Sequence, residues 1–114
     1  MGDTEEWDID PVDTFSIVLY KLNDEEERFD QIQVKSVEEI HAYLVFKSIL
    51  MIIDTKGHSA YLWVGNEATV KMKFVAARIA PQTRDRHGSM STMHLHNIEQ
   101  SSEPTEFKTL LHLS

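Results

Sequence analysis

The 114-residue chain contains no cysteine. Disulfides, thiolate metal sites and a cysteine nucleophile are thereby excluded, and the absence fits a reducing compartment. Glycine is nearly as scarce, with four residues, and Gly57, Gly65 and Gly88 lie far apart, so no glycine loop exists to cradle a phosphate. Apolar runs reach only about six residues, against the roughly twenty that span a bilayer. The opening stretch, MGDTEEWDID, is acidic where a secretory signal would be basic and then apolar. Basic residues are also few: 11 Lys and Arg stand against 19 Asp and Glu, for a net charge of −8. Phosphate binding rests on clustered Lys and Arg, so this balance argues against a nucleic-acid partner. The expectation is a soluble cytoplasmic protein with no membrane span.

What is present supports one domain. Hydrophobic residues make up 41% of the chain, enough for a core in a chain of this length but not for two separate ones. Charge is unevenly placed. Residues 1–30 hold eleven acids against Lys21 and Arg28, whereas residues 70–86 hold Lys71, Lys73, Arg78, Arg84 and Arg86 against Asp85 alone. Residues 1–13, ending near Asp10-Pro11, read as an acidic tail, and residues 14–114 as the folded domain.

The chain then alternates between strand and helix patterns. Phe15 to Lys21 is rich in β-branched and aromatic residues and predicts a strand. A polar turn from Asn23 to Glu27 leads to Phe29–Val34, which alternates apolar and polar in the manner of a half-buried strand. Ser36 with Glu39 three residues on forms a capping box for a short helix, Val37 to about Tyr43. Ile49–Ile53 is apolar at every position, which predicts a central strand covered on both faces. Thr55-Lys56-Gly57-His58 predicts a hairpin turn with Gly57 at positive φ, and Ala60–Val64 returns as the next strand. A helix is expected from about Glu67 to Ala80, stopped by Pro81, then a polar loop to Ser89. Met90–Ile98 alternates as a further strand. Ser101-Ser102-Glu103-Pro104 opens a last helix with proline in its first turn and Phe107, Leu110, Leu111 and Leu113 as its apolar stripe. The order β-β-α-β-β-α-β-α predicts an α+β domain with a mixed sheet of about five strands.

The long helix has two apolar faces. At ~100° per residue, Met72, Val75, Ala76 and Ile79 fall within about 100° of one another and form the wider stripe, suited to the core. Val70, Phe74 and Ala77 fall within about 60° of one another on the other side. Lys71 and Arg78 divide the stripes along one border and Lys73 along the other. The second stripe is either covered by a tail or loop of this chain, or docks into a groove on a partner.

Other chemistry is thinly supported. His94 and His96 share one face of a strand, but no third zinc ligand stands at close spacing. Asp85, His87, Ser89 and Ser91 lack the glycine pattern of a nucleophile elbow and an oxyanion loop. No enzymatic activity is expected.

Four features together resemble the gelsolin homology domain, the repeated actin-regulating unit of the gelsolin and villin family. Phe46–Asp54, FKSILMIID, resembles its central strand. Tyr61–Gly65, YLWVG, is similar to the next strand, which ends Trp-x-Gly. The long helix follows that glycine, and Met93–Leu113 resembles the terminal strand, the Glu-Pro-x-x-Phe turn and the closing helix. The resemblance covers roughly residues 14–113. It implies a five-stranded mixed sheet sandwiched between one long and one short helix. In actin-capping members the exposed side of the long helix packs into a cleft between actin subdomains. By spacing from Trp63 that side is Val70, Phe74, Ala77, Arg78 and Pro81, with Lys71 beside it.

The resemblance also implies a departure. Family calcium sites use Gly-Asp at the start of the central strand and a Glu on the long helix; here those positions read Lys47, Ser48 and Met72. Calcium needs several oxygen ligands, so no cofactor is required and the usual intradomain calcium site is expected to be missing; Glu67 and Asp85 are the remaining candidates for a calcium site shared with a partner. The function implied is actin binding that modulates filament assembly, by monomer binding or capping. The alternative is a structural or self-associating module, such as those in vesicle coat subunits, that forms a homodimer or docks in a larger assembly without actin.

Overall fold

The computed structural model describes residues 15–86 and 93–113. In chain order these form β1 (Ile17–Asn23), β2 (Arg28–Ile32), α1 (Val37–His41), β3 (Ile49–Asp54), β4 (Ser59–Val64), α2 (Val70–Asp85), β5 (His94–Glu99) and α3 (Thr105–Leu110). One five-stranded sheet runs β2-β1-β3-β4-β5. Its first three pairings are antiparallel, and β4 pairs with β5 in parallel, with α2 as the crossover between them. The architecture is the expected mixed α+β sheet.

β3 shows why its sequence has no polar face. Ile49, Met51 and Ile53 pack under α2 with Val75, Ala76, Ile79 and Ala80. The alternate residues Leu50 and Ile52 pack on the other side with Ile40 of α1, Phe107 of α3 and Leu111 just after it. All five are fully buried. A strand's period-two alternation divides one apolar run between two cores.

The ends of elements follow local chemistry. Ser36 Oγ accepts from the Glu39 N–H at 3.3 Å, while the Glu39 carboxylate accepts from the Lys35 N–H at 2.8 Å. This variant of the capping box leaves α1 one turn long, ending at His41 rather than Tyr43. His41 Nε2 lies 2.5 Å from the Leu111 carbonyl and ties α1 to the end of α3. Pro104 is the N-cap of α3 rather than part of its first turn.

Further expectations are corrected. The hairpin turn after β3 places no glycine at positive φ; His58 takes the left-handed conformation at φ 57°. Gly57 instead sits against Asp54, whose Oδ1 accepts its N–H at 3.0 Å and whose Oδ2 would lie 2.5 Å from an added Cβ. The long helix begins at Val70, not Glu67, because Thr69 is its cap and accepts the Met72 N–H at 3.1 Å. Pro81 does not stop it: the helix runs on to Asp85, replacing the first part of the expected polar loop. Proline removes its own N–H, which would have bonded Ala77, and its ring crowds that carbonyl. Ala77 lies on the exposed side of the helix. The extra turn is held by burial of Ala80 and Thr83, with Thr83 Oγ1 donating to the Ile79 carbonyl at 3.3 Å. The last strand begins at His94; Met90 to Thr92 lie outside the described residues, as do the tail, residues 1–13, and Ser89, Ser91 and His87.

Candidate functional site

The end of β4 positions the outward face of α2. After Val64 the chain makes a tight approach to the loop before β3. The Gly65 N–H donates to the Ser48 carbonyl at 2.8 Å and the Glu67 N–H to the Phe46 carbonyl at 2.7 Å. A Cβ on residue 65 would meet the Phe46 carbonyl oxygen at 2.5 Å and its carbon at 2.6 Å. Only glycine fits without moving backbone. This junction sets where α2 starts and therefore which residues face out.

One side of α2 is core: Val75, Ala76, Ile79, Ala80 and Thr83 are buried, and Met72 packs partly against them. On the other side Val70 is 82% and Phe74 71% exposed. Lys71, Ala77 and Arg78 are exposed beside them, and Pro81 is half-buried. The structure therefore brings all six sequence-predicted residues to one surface. Single exposed apolar residues are ordinary on protein surfaces, whereas a helical stripe of them is informative.

Two features of this surface escaped the sequence. Arg78 is not free: its guanidinium pairs with Glu27, 51 positions away in the turn between β1 and β2. Glu27 sits there at φ 55°. The second is Val45 and Phe46, which are 45% and 47% exposed. They lie in the loop pinned to the start of α2 by the Phe46–Glu67 hydrogen bond, and so add apolar surface at that end of the helix. Their signal was an apolar pair between α1 and β3 that belongs to neither periodic pattern.

The positions implied for calcium also converge. Lys47, Ser48 and Met72 line one groove of about 540 Å³ together with Lys21, Asp24, Glu25 and Asp30. The implied positions themselves are poor donors for calcium. Lys47 offers an ammonium and Met72 a thioether, and neither is a hard oxygen ligand. Asp30 is taken by Arg28, whose Nε donates to it at 2.6 Å and holds its carboxyl below the usual range. Among the described residues no three His, Asp or Glu side chains gather closely enough to hold a metal. Glu67 and Asp85 lie at opposite ends of α2, and Asp85 is paired with Arg84 at 3.0 Å.

On the opposite face, His94 and His96 stand with ring centroids 4.8 Å apart, and His96 stacks on Tyr61 at 5.2 Å. Burial, reinforced by the charges of Asp54 and Glu106 and opposed by a hydrogen bond with Ser59, pushes the Tyr61 phenol up. The cluster packs as an aromatic patch, with Phe107 edge-on to Tyr61. Trp63, fully buried in the same layer, donates from Nε1 to Glu103 at 3.0 Å.

No protein-family model matches the chain, and no curated protein matches it. Solved structures do. Thorarchaeota ProGel, determined as a complex with rabbit actin, superposes with a TM-score of 0.68 at 19% identity, over 83% of this chain and 98% of the matched one. Thorarchaeota 2DGel3, also in complex with rabbit actin, superposes with a TM-score of 0.61 at 22% identity, over 84% of this chain. This chain spans 43% of the length of that second protein. The domain thus has the gelsolin-like fold. Among the described residues no helix is long and apolar enough to cross a membrane.

Proposed function

We propose that this chain is a non-enzymatic, cytoplasmic actin-binding domain that modulates filament assembly, by binding monomers or capping, through the outward face of α2. The observation that carries the proposal is the uncovered stripe of Val70 and Phe74 on a helix whose opposite side is already core. Both fold neighbours were determined with actin bound. Phe74 would act as the apolar anchor in a groove on actin, with Val70 and Ala77 beside it and Pro81 at the edge. Lys71 is exposed and makes no ion pair among the described residues, so it is the cation best placed to meet an acidic group on actin. Arg78 would first have to leave Glu27.

The domain is further proposed to bind without an intradomain calcium ion, since the groove in which that ion would sit is lined by Lys47 and Met72 at two of the implied ligand positions.

Polymerisation of pyrene-labelled actin, with Phe74→Asp as the comparison, tests the site. The full chain should alter the polymerisation curve equally at high and low calcium, and the variant should lose the effect while keeping its thermal unfolding transition. Unchanged activity in Phe74→Asp would remove this surface from the mechanism. A tight homodimer in sedimentation that ignores actin would instead favour a self-associating module.

A further inference from the structure

The outward face of α2 carries unbalanced positive charge. Lys71 and Lys73 flank Val70 and Phe74, and neither makes an ion pair among the described residues, whereas Arg78 and Arg84 are satisfied by Glu27 and Asp85. The chain ahead of Phe15 is the complement of this face. It holds six acids, Asp3, Glu5, Glu6, Asp8, Asp10 and Asp13, with no Lys or Arg, and sets Trp7 and Ile9 among them. A segment that served only to solvate would gain nothing from a tryptophan, whose large apolar surface is stabilised only when covered.

Reach permits the pairing. β1 starts at Ile17, opposite Asp54, while α2 follows Val64 at the other end of the sheet. The length of β1 to be covered is about 20 Å at ~3.3 Å per residue, and the outward side of α2 stands about 15 Å off the sheet, for a diagonal of about 25 Å. The eight residues from Phe15 back to Trp7 extend to about 26 Å.

We propose that residues 1–14 dock on the outward face of α2, with Trp7 over Val70 and Phe74 and the neighbouring acids beside Lys71 and Lys73. The segment then competes with actin for one surface; that competition, unlike the docking itself, rests on the actin-binding function proposed above. Exposed ion pairs are individually weak and are screened by salt, so the contact is reversible and displaceable. A segment docked nine-tenths of the time weakens a competitor about tenfold.

The two tryptophans provide the test. In nitrogen-15 NMR spectra of the full chain, the Trp63 indole, buried and bonded to Glu103, reports the fold, and the Trp7 indole reports docking. Phe74→Asp, the double change Lys71→Glu with Lys73→Glu, and addition of salt should each move the Trp7 resonance toward its position in a free peptide of residues 1–14, leaving Trp63 in place. A Trp7 resonance already at the peptide position, or unmoved by all three, would overturn the docking. In actin binding, Trp7→Ala should raise apparent affinity about tenfold. Equal affinities, with the Trp7 shifts observed, would refute the competition. No actin binding by either chain, with the shifts observed, would refute the actin function and still support docking.

Discussion

Gly65→Ala should be the most damaging single-methyl change in the domain. The new Cβ would stand 2.5 Å from the Phe46 carbonyl oxygen, 2.6 Å from its carbon and 2.8 Å from the Ser48 carbonyl oxygen. All three are backbone atoms, so no side chain can swing away. Relief requires separating the turn after β4 from the loop before β3, which stretches the bonds from Gly65 to Ser48 and from Glu67 to Phe46. Overpacking of this kind costs about 1–3 kcal/mol, and two weakened hydrogen bonds add about 0.5–1.5 kcal/mol each. A loss of about 3–4 kcal/mol is expected, or a fall in Tm of about 15–25 °C for a domain of this size. Equilibrium urea unfolding followed by circular dichroism measures it directly. A loss under about 1 kcal/mol would mean that the close approach does not constrain the α2 junction, and the physical account of how that helix is aimed would fail. Gly57→Ala is the control. There the close atoms belong to the Asp54 side chain, which can rotate, so its cost should be clearly smaller.

Phe74→Asp should leave stability within about 0.5 kcal/mol, as for most exposed sites. If a partner covers the 71% of the ring now exposed, about 140 Å² at ~25 cal/mol/Å² gives roughly 3 kcal/mol, so actin affinity should fall by more than about a hundredfold; titration calorimetry reads both sides of that comparison. Pro81→Ala restores an N–H for the Ala77 carbonyl, and part of the ~3 kcal/mol that an interior proline costs should return as about 1–2 kcal/mol of stability after the unfolded-state entropy is counted. A loss of stability in the same urea assay would show that the ring packs too well to replace. Glu103 supplies the pH dependence. Burial alone would raise its carboxyl, but hydrogen bonds from Trp63 and the backbone, together with Lys108, outweigh it and hold the carboxyl below its ordinary 4.5. A depressed carboxylate contributes stability that is fully present above its unfolded value and is lost as pH falls through the folded one. Between about pH 5 and 3 the native chain should therefore lose more stability than Glu103→Gln, and parallel pH–stability curves would contradict the assignment. Glu27→Ala should cost under about 1 kcal/mol, because its pair with Arg78 is half exposed, and should strengthen actin binding if the released Arg78 joins the interface.

Much of the domain could be read along the chain because its patterns are local. Ile49 to Ile53 reads as a central strand covered on both sides, and it proves to be shared between two cores. The two stripes of α2 separated by periodicity alone, and burial divides them as expected, with Val75, Ala76 and Ile79 inside and Val70 and Phe74 outside. Errors arose where a local rule met a tertiary constraint. Proline was expected to end α2, but burial of Ala80 and Thr83 outweighs one lost hydrogen bond on the solvent side. Glycine was expected to take the left-handed position of the hairpin turn, but Asp54 binds the Gly57 N–H and the strain passes to His58.

The amino-acid order by itself determined the strands, the helices and the faces of each, since these rest on periods of two and 3.6 that neighbouring residues already encode. Only the tertiary structure decided what meets across long separations. It placed Arg78 against Glu27, pinned Phe46 to the start of α2, and gathered Lys47, Ser48 and Met72 into one groove. Such contacts depend on how the sheet pairs and how the helix crosses it, and no local period carries that information.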